Sequence, residues 1–275
     1  CSPKTTAPVL TSKDLAVQAT EEGNYEKAVE AWKTHFDEQT LAQIPGADFA
    51  MASQMAYQAG DNEQAVKWFD QARYKNYADA DMYLTLAAIF RKQQNISKEL
   101  SALEYYKENF EGDMNEVNNR LFELYYEVKL YEEALLAWDG MNVETQSKIE
   151  NLKPFFSINK SQEKNEVCDS LATVILEKEP ENIDALEWNG MKYYWKGENR
   201  YQREMKKYEN NRTNKQYKIL LKELDIATAD FKKALPYFEK LWDIESGEKY
   251  ASYFANIYAR FGDESKVNYY KKYMK

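Results

Sequence analysis

The feature that most constrains this chain is a six-residue pattern that returns about every 34 residues. Its clearest copies lie at 23–28, 60–65, 129–134 and 229–234, and weaker copies lie at 94–99, 163–168, 197–202 and 262–267. The final residues of successive copies are separated by 37, 34, 35, 34, 34, 32 and 33 positions. A nearly fixed period of this length predicts a repeat architecture, in which each unit packs mainly on its neighbours.

Each position of the pattern has a physical interpretation. The Gly or Asn/Asp residues at the start end one helix and form a turn. The small residue at the end is expected where two helices touch, because a large side chain there would push them apart. A bulky residue follows four positions later on the same helical face. These bulky residues are Trp32, Phe69, Leu103, Trp138 and Phe238. Aromatic residues expected to pack from the preceding helix are Phe90, Tyr125, Tyr193 and Tyr258.

The period and pattern resemble the tetratricopeptide repeat, which consists of two antiparallel helices per unit. The resemblance covers residues 12–275 and implies an all-α fold, a right-handed α-solenoid of about eight helix-turn-helix units in a single domain. The units are expected to end near residues 44, 79, 113, 147, 182, 214, 248 and 275. Three departures stand out: Pro154 inside a predicted helix, Gln202 at a small-residue position, and Asp225 at an aromatic one. They predict a kink and irregular geometry between residues 145 and 225.

Composition argues against catalysis. The chain has 275 residues with only 9 Gly and 6 Pro, which favours helix, and it has a single histidine. One histidine leaves little for a metal site or a catalytic triad. We expect His35 to pack at the end of a helix and Cys168 to act as a small buried group. The sequence therefore predicts no catalytic residue, metal ligand or cofactor; an enzyme would need an acid–base pair assembled across units.

The resemblance also implies a binding surface, because first helices of this family line a concave groove that holds a peptide or a partner helix. The residues expected to face this groove are Gln54, Tyr57, Arg91, Asn119, Glu123, Tyr126, Glu187, Met191, Tyr194 and Trp195. For Tyr194 and Trp195, packing between units is the open alternative. Some family members clamp the carboxylates of chaperone tails with Lys and Asn, but the matching positions here are Ala50, Met51, Gln54 and Leu84. Chaperone-tail binding is not expected.

A basic ridge interrupts an otherwise acidic chain. Residues 200–222 contain eight basic and two acidic residues, although the whole chain has a net charge of −9. The ridge consists of Arg203, Lys206, Lys207, Arg212, Lys215, Lys218 and Lys222, and residues 210–214 are expected to form a loop. The ridge has three open interpretations: ion pairs with acidic units, contact with anionic lipid, or an acidic partner. Nucleic acid is not an expected partner, because the chain as a whole is acidic.

The first residues resemble those of a mature bacterial lipoprotein. Cys1 is followed by a polar, Pro-containing segment, and residues 1–11 are expected to be a disordered tether. In lipoproteins the first Cys carries acyl chains that anchor the protein. The closest analogy is with tetratricopeptide lipoproteins of the outer membrane in Bacteroidetes-type bacteria. Since the residue after Cys1 is not Asp and no acidic run follows, the periplasmic side of the outer membrane is favoured.

Two functions remain in competition after these steps. The first is a non-enzymatic scaffold that binds proteins at the cell envelope, as part of an assembly or secretion complex. The second is a lipoprotein that binds glycans or nutrients beside an outer-membrane transporter, for which aromatic side chains would be suitable. Lipoproteins of this second kind are usually much longer, and this favours the scaffold.

Overall fold

The computed structural model describes residues 10–245 and 248–274. Over these residues the chain forms helices and no strand. It divides into two compact bodies, which we call the N-terminal body (Cys1–Asn142) and the C-terminal body (Val143–Lys275). Most of the predicted tether, residues 1–9, lies outside the described residues.

The N-terminal body contains four helix pairs. The first pair is α1 (Ser12–Glu21) with α2 (Tyr25–Asp37), and the second is α3 (Gly46–Gln58) with α4 (Asn62–Tyr74). The third pair is α5 (Ala80–Lys92) with α6 (Ile96–Asn109), and the fourth is α7 (Asn115–Glu127) with α8 (Tyr131–Asp139). We call the earlier helix of a pair its first helix and the later one its second helix.

The C-terminal body contains three helix pairs of unequal length. It begins with the single turn α9 (Val143–Gln146) and the pair α10 (Ile149–Ser161) with α11 (Asn165–Lys178). A long hairpin follows, in which α12 (Ile183–Asn210) packs against α13 (Asn214–Glu245). The last pair is α14 (Glu248–Phe261) with α15 (Glu264–Lys271).

The same left-handed turn joins the helices of six pairs. The first residue of the six-residue pattern has a positive φ in each: Gly23, Gly60, Gln94, Lys129, Glu163 and Gly262, between 55° and 84°. The amide of the next residue then donates a hydrogen bond to a carbonyl five residues back, as Asp61 does to Ala56 at 2.8 Å. Where the next residue is Asn or Asp, its side chain also caps the second helix; Asp61 accepts from the amide of Gln64 at 3.0 Å.

The small residue at the end of the pattern is buried in four of the six regular pairs, as expected from the sequence, whereas Val267 in the last pair is partly exposed. Ala28, Ala65, Ala134 and Cys168 are fully enclosed, and bulky partners such as Trp32 pack in the same core. The third pair differs, because Glu99 occupies this position and is almost completely buried in an ion pair with Arg120. The six regular pairs confirm the all-α, helix-turn-helix expectation.

The structure differs from the prediction between residues 183 and 245. The sequence predicts two units here with turns at 197–202 and 229–234, but both segments lie inside continuous helices, α12 and α13. Gly197 is the reason that the pattern misleads. A Cβ at this position would lie 3.1 Å from the Ala227 carbonyl and 3.1 Å from the Phe231 ring. The glycine therefore allows two helices to approach closely instead of ending one of them.

Residues 145–225 do depart from regular geometry, although not in the predicted manner. Helices α12 and α13 have 28 and 32 residues, whereas helices in the regular pairs have 8 to 14. Pro154 lies within α10, which runs without interruption from Ile149 to Ser161. The kink itself stays a prediction. The expected loop at 210–214 is confirmed as the short connection between α12 and α13.

The turn geometry makes a prediction about Gly60. The substitution Gly60→Ala places a Cβ in open space, so its only cost is the left-handed backbone at φ 84°. We expect it to lower the free energy of unfolding by about 1 kcal/mol. The opposite kind of change, Lys129→Gly, places glycine at a left-handed position, φ 63°, where lysine is strained. It should raise the free energy of unfolding by about 0.5 kcal/mol. Urea titrations followed by circular dichroism would measure both free energies of unfolding. A change in the same direction in the two variants would contradict this account of the turn.

The close approach at Gly197 makes a second prediction. Replacing a glycine with alanine in an exposed helix stabilises the helix by up to about 1 kcal/mol. Gly197→Ala should instead destabilise the protein by about 1 to 3 kcal/mol, because the added methyl group overpacks the contact with Phe231. Asn199→Ala, at an exposed position of the same helix, is the control and should not lower the free energy of unfolding.

Candidate protein-binding surface

Two first helices of the N-terminal body lie side by side and form one surface. The Thr85 hydroxyl on α5 donates a hydrogen bond to Gln54 Oε1 on α3 at 2.9 Å. Met51 lies one turn before Gln54, Leu84 directly precedes Thr85, and the two side chains expose 44% and 38% of their surface. We call this the first-helix surface. It consists of Met51, Gln54 and Gln58 on α3, and Leu84, Ala88 and Arg91 on α5.

The end of the first-helix surface is cationic. Arg91 is exposed in the last turn of α5, and the neighbouring Lys92 Nζ lies 5.4 Å from the centre of the Tyr57 ring on α3. This cation–π contact covers part of Tyr57 and leaves the side chain half-buried. Gln54, Tyr57 and Arg91, which register predicts to face a groove, lie on the adjacent helices α3 and α5. Their role in binding stays a prediction.

The predicted residues of α7 belong to a polar network. Arg120 donates to Glu99 on α6 at 2.6 Å and 2.9 Å, and to Glu123 at 2.6 Å. Asn119 lies 3.4 Å from Glu123, and Tyr126 is half-buried beside Tyr131. Hydrogen bonding to Glu99 holds the pKa of Arg120 above its usual range. The network joins α7 to α6. Sequence reasoning missed Arg120, whose partner lies 21 residues away.

The predicted groove residues of α12 are used mostly for packing. Tyr194 is 5% exposed, its ring packs against Phe231, and its hydroxyl accepts from Asn256 at 2.7 Å. Burial raises its pKa to about 12. The alternative of packing therefore holds for Tyr194, and we correct its assignment to the groove. Trp195, by contrast, is half-exposed.

Two other predicted residues of α12 also make contacts inside the C-terminal body. Glu187 is paired with Lys249 and accepts a hydrogen bond from the Tyr250 hydroxyl at 2.5 Å, which joins α12 to α14. Met191 is partly buried against the core formed by α12, α13 and α14. Of the predicted set on this helix, Trp195 alone presents a large aromatic surface.

The N-terminal body also has a cleft on the side of its second helices. The cleft has a volume of about 400 Å³ and lies between α4 and α6, with α5 as its floor. Tyr83 and Tyr105 stack in it with ring centres 4.0 Å apart, and burial raises the pKa of Tyr83 to about 12. Arg73 and Lys98 line its polar rim. The sequence did not indicate this cleft, because it depends on the gap between second helices of successive pairs.

The basic ridge lies at the far end of the long hairpin. All seven of its side chains are exposed, with Arg203, Lys206 and Lys207 on α12, Arg212 in the loop, and Lys215, Lys218 and Lys222 on α13. Arg203 and Lys207 each lie 2.8 Å from the buried carboxylate of Glu204. Hydrogen bonding to Lys207 and Arg203 holds the pKa of Glu204 below its usual range.

The remaining candidate groups for chemistry are enclosed. Cys168 is fully buried, and burial raises the pKa of its thiol, which keeps it protonated. His35 is buried in the last turn of α2, with Asp48 3.4 Å from its Nε2, so the expected packing role is confirmed. Among residues 10–245 and 248–274, no cluster of three His, Cys, Asp or Glu side chains is placed to bind a metal ion. No described helix has the length and apolarity to cross a membrane.

No protein-family model and no curated protein matches this chain. The chain is similar to several solved structures of Bacteroidetes proteins. It is 18% identical to a putative protein binding protein from Bacteroides ovatus, over 82% of this chain and 98% of that one, with a TM-score of 0.47. It is 12% identical to a tetratricopeptide repeat protein from Parabacteroides merdae, over 95% of this chain and 90% of that one, with a TM-score of 0.45. It is 15% identical to the C-terminal part of a tetratricopeptide repeat-containing protein from Cytophaga hutchinsonii, over 94% of this chain and 92% of that one, with a TM-score of 0.43.

The ion pair between Glu99 and Arg120 gives a prediction about how α6 and α7 are joined. Glu99→Ala removes the partner of a partly enclosed guanidinium, and we expect it to lower the free energy of unfolding by about 2 kcal/mol. Glu63→Ala is the control, because its pair with Lys67 is exposed and should contribute less than about 0.5 kcal/mol. Urea titration of both variants would measure the difference, and similar effects would contradict a structural role for Glu99.

Proposed function

We propose that this chain is a non-enzymatic scaffold that binds a protein partner through its first-helix surface. The observation that carries the proposal is the hydrogen bond between Thr85 and Gln54, which holds α3 and α5 in register. The register places Met51 and Leu84, two exposed apolar side chains, on adjacent helices. Apolar groups surrounded by polar ones are typical of the centre of a protein interface.

The composition of the surface suggests which partner segment it accepts. Met is flexible and fits irregular apolar side chains, and Leu84 adds a second apolar contact. Gln58 on α3 and Arg91 on α5 offer exposed donors, which suit the backbone carbonyls of an extended segment or the side chains of a helix. The partner segment in this proposal carries one or two apolar anchors between polar residues.

Charge makes the choice of partner more specific. The N-terminal body contains 24 acidic and 13 basic residues, a net charge of −11. A surface of this sign accelerates association with basic segments and slows association with acidic ones. Arg91 and Lys92 are a local exception at one end of the first-helix surface. The expected partner is therefore basic overall, with an acidic or carbonyl group near that end.

The finer form of the proposal places the scaffold at the outer membrane. In this form Cys1 carries acyl chains, and the chain belongs to an envelope assembly or secretion complex on the periplasmic side. It rests on the sequence of the first residues, which lie outside the described part of the chain. Mass spectrometry of the protein from its native host would test it. An unmodified Cys1 in membrane-free material would contradict the anchor and leave the binding proposal intact.

Substitutions on the first-helix surface test the binding proposal. Met51→Glu combined with Leu84→Glu places charges where apolar anchors bind, and we expect a loss of partner affinity of tenfold or more, since anchors dominate interface energy. Partners are identified by crosslinking mass spectrometry on native membranes, and their affinity is then measured with the purified protein.

The control is Leu136→Glu. Leu136 is 69% exposed on α8, a second helix of the same body, so it changes charge without touching the proposed surface. Equal binding by the double variant and the wild type would contradict the proposal. Micromolar binding of a glycan in calorimetry that survives the double substitution would favour the nutrient-binding alternative.

A further inference from the structure

The far end of the long hairpin extends beyond the core of the C-terminal body. We call residues 202–226 the hairpin tip. The core cluster among the described residues includes Ala227, Tyr201 packs against it, and no residue of the tip belongs to it. Polar and ring contacts from α14 occur along α12 between Glu187 and Tyr201, where Arg260 lies 3.8 Å from the Tyr201 ring centre. Beyond this point α12 and α13 are joined by contacts such as Tyr208 with Tyr217.

Two of the four acidic side chains of the tip are at least partly buried and paired, whereas Glu209 and Asp225 are exposed. Glu204 is 3% exposed and is bound by Arg203 and Lys207, and Glu223 is partly buried against Arg200. These pairs use carboxylates that would otherwise face the solvent. Residues 202–226 contain seven basic and four acidic residues, a net charge of +3. The exposed surface of the tip is therefore more positive than this net charge suggests.

Five cations of the tip have no ionic partner within 4.0 Å among the described residues. They are Lys206 on α12, Arg212 in the loop, and Lys215, Lys218 and Lys222 on α13. They come from both helices and from the loop that joins them. Cations spread in this way meet a broad negative surface more readily than a single carboxylate.

Large apolar side chains are exposed between these cations. Tyr217, Ile219, Leu221 and Ile226 each expose between 40% and 47% of their surface. Lys215, Ile219, Lys222 and Ile226 are spaced by four, three and four residues, so they form one stripe along α13. The stripe alternates cation and apolar group over roughly 16 Å of helix, at 1.5 Å per residue.

We propose that the hairpin tip docks on an anionic lipid surface. In this arrangement Ile219 and Ile226 enter the boundary between headgroups and acyl chains, while the three lysines of α13 and Arg212 contact lipid phosphates. Helices that lie at a membrane interface combine Lys and Arg side chains with apolar side chains that enter the boundary between headgroups and acyl chains, and α13 supplies both kinds of side chain within the tip. Long Lys and Arg side chains reach phosphates at different depths, so a planar surface satisfies cations that lie on different elements.

The charge of the rest of the chain favours lipid contact through the tip alone. The N-terminal body, with its net charge of −11, is repelled by anionic headgroups. An acidic protein segment is the competing occupant, and it is an outcome of the test below. The proposal needs no acyl chain on Cys1 and no protein on the first-helix surface, so it stands or fails separately from the proposed function.

Vesicle sedimentation tests the proposal with the full chain carrying Cys1→Ser, so that no lipid is attached. The vesicles contain phosphatidylglycerol and phosphatidylethanolamine in equal parts, and phosphatidylcholine vesicles serve as the neutral comparison. We expect binding to the anionic vesicles that falls steeply as salt is added. Combining Lys215→Glu, Lys218→Glu and Lys222→Glu should weaken it on the order of a hundredfold, since each cation near the membrane contributes strongly.

A matched variant controls for net charge. Lys178→Glu, Lys232→Glu and Lys240→Glu together change the net charge by the same amount as the tip variant. They lie at exposed positions of the same body, outside the tip, and should leave most of the binding intact. Ile219→Ser with Ile226→Ser should weaken binding about tenfold without changing its salt dependence, because these residues contribute apolar contact. Circular dichroism confirms that each variant retains its helices.

Three results would overturn the proposal. The first is equal sedimentation of the wild type with anionic and neutral vesicles. The second is an equal loss of binding in the tip variant and in its matched control. The third is binding of polyglutamate in preference to anionic vesicles, which would assign the tip to an acidic protein partner.

Discussion

The fold depends on the left-handed turn that ends each first helix in six of the helix pairs. A residue at positive φ reverses the chain, and the next amide donates back to a carbonyl five residues earlier. When that next residue is Asn or Asp, as at Asn24 or Asp61, the same two residues also start the second helix. The turn thereby ends one helix and begins the other within two residues, and this places the small residue, four positions further on, between the two helices.

This local origin explains how much the sequence predicts and where it fails. The pattern located six turns because each turn is built within a few residues. It failed at 197–202 because glycine is used both at positive φ and where helices approach closely, and the sequence alone does not separate these uses. The distinction depends on Phe231 and Ala227, which lie about 30 residues further along and come within 3.1 Å of a Cβ at Gly197. Glu99 shows a related limit, since a charge at a small-residue position is tolerated only through Arg120.

Binding residues were predictable to the degree that a regular helix determines which side chains face outward. Register arithmetic brought Gln54, Tyr57 and Arg91 to adjacent helices, because α3 and α5 belong to regular pairs. The same arithmetic failed for Tyr194, which is covered by residues of α14 more than 50 positions away, such as Asn256. The cleft at Tyr83 and Tyr105 also depends on the distance between successive pairs, which no repeat pattern specifies.

The distribution of charge separates the two proposed contacts. The first-helix surface belongs to a body with an excess of acidic residues, whereas the hairpin tip has more basic than acidic residues. Two of the carboxylates of the tip, Glu204 and Glu223, are at least partly buried in ion pairs. Electrostatic attraction therefore favours a basic segment at one site and an anionic surface at the other. Since the two sites share no residue and prefer opposite charges, an occupant suited to one is repelled by the other. The two proposed contacts, one with a protein and one with a lipid surface, therefore use different residues of the chain.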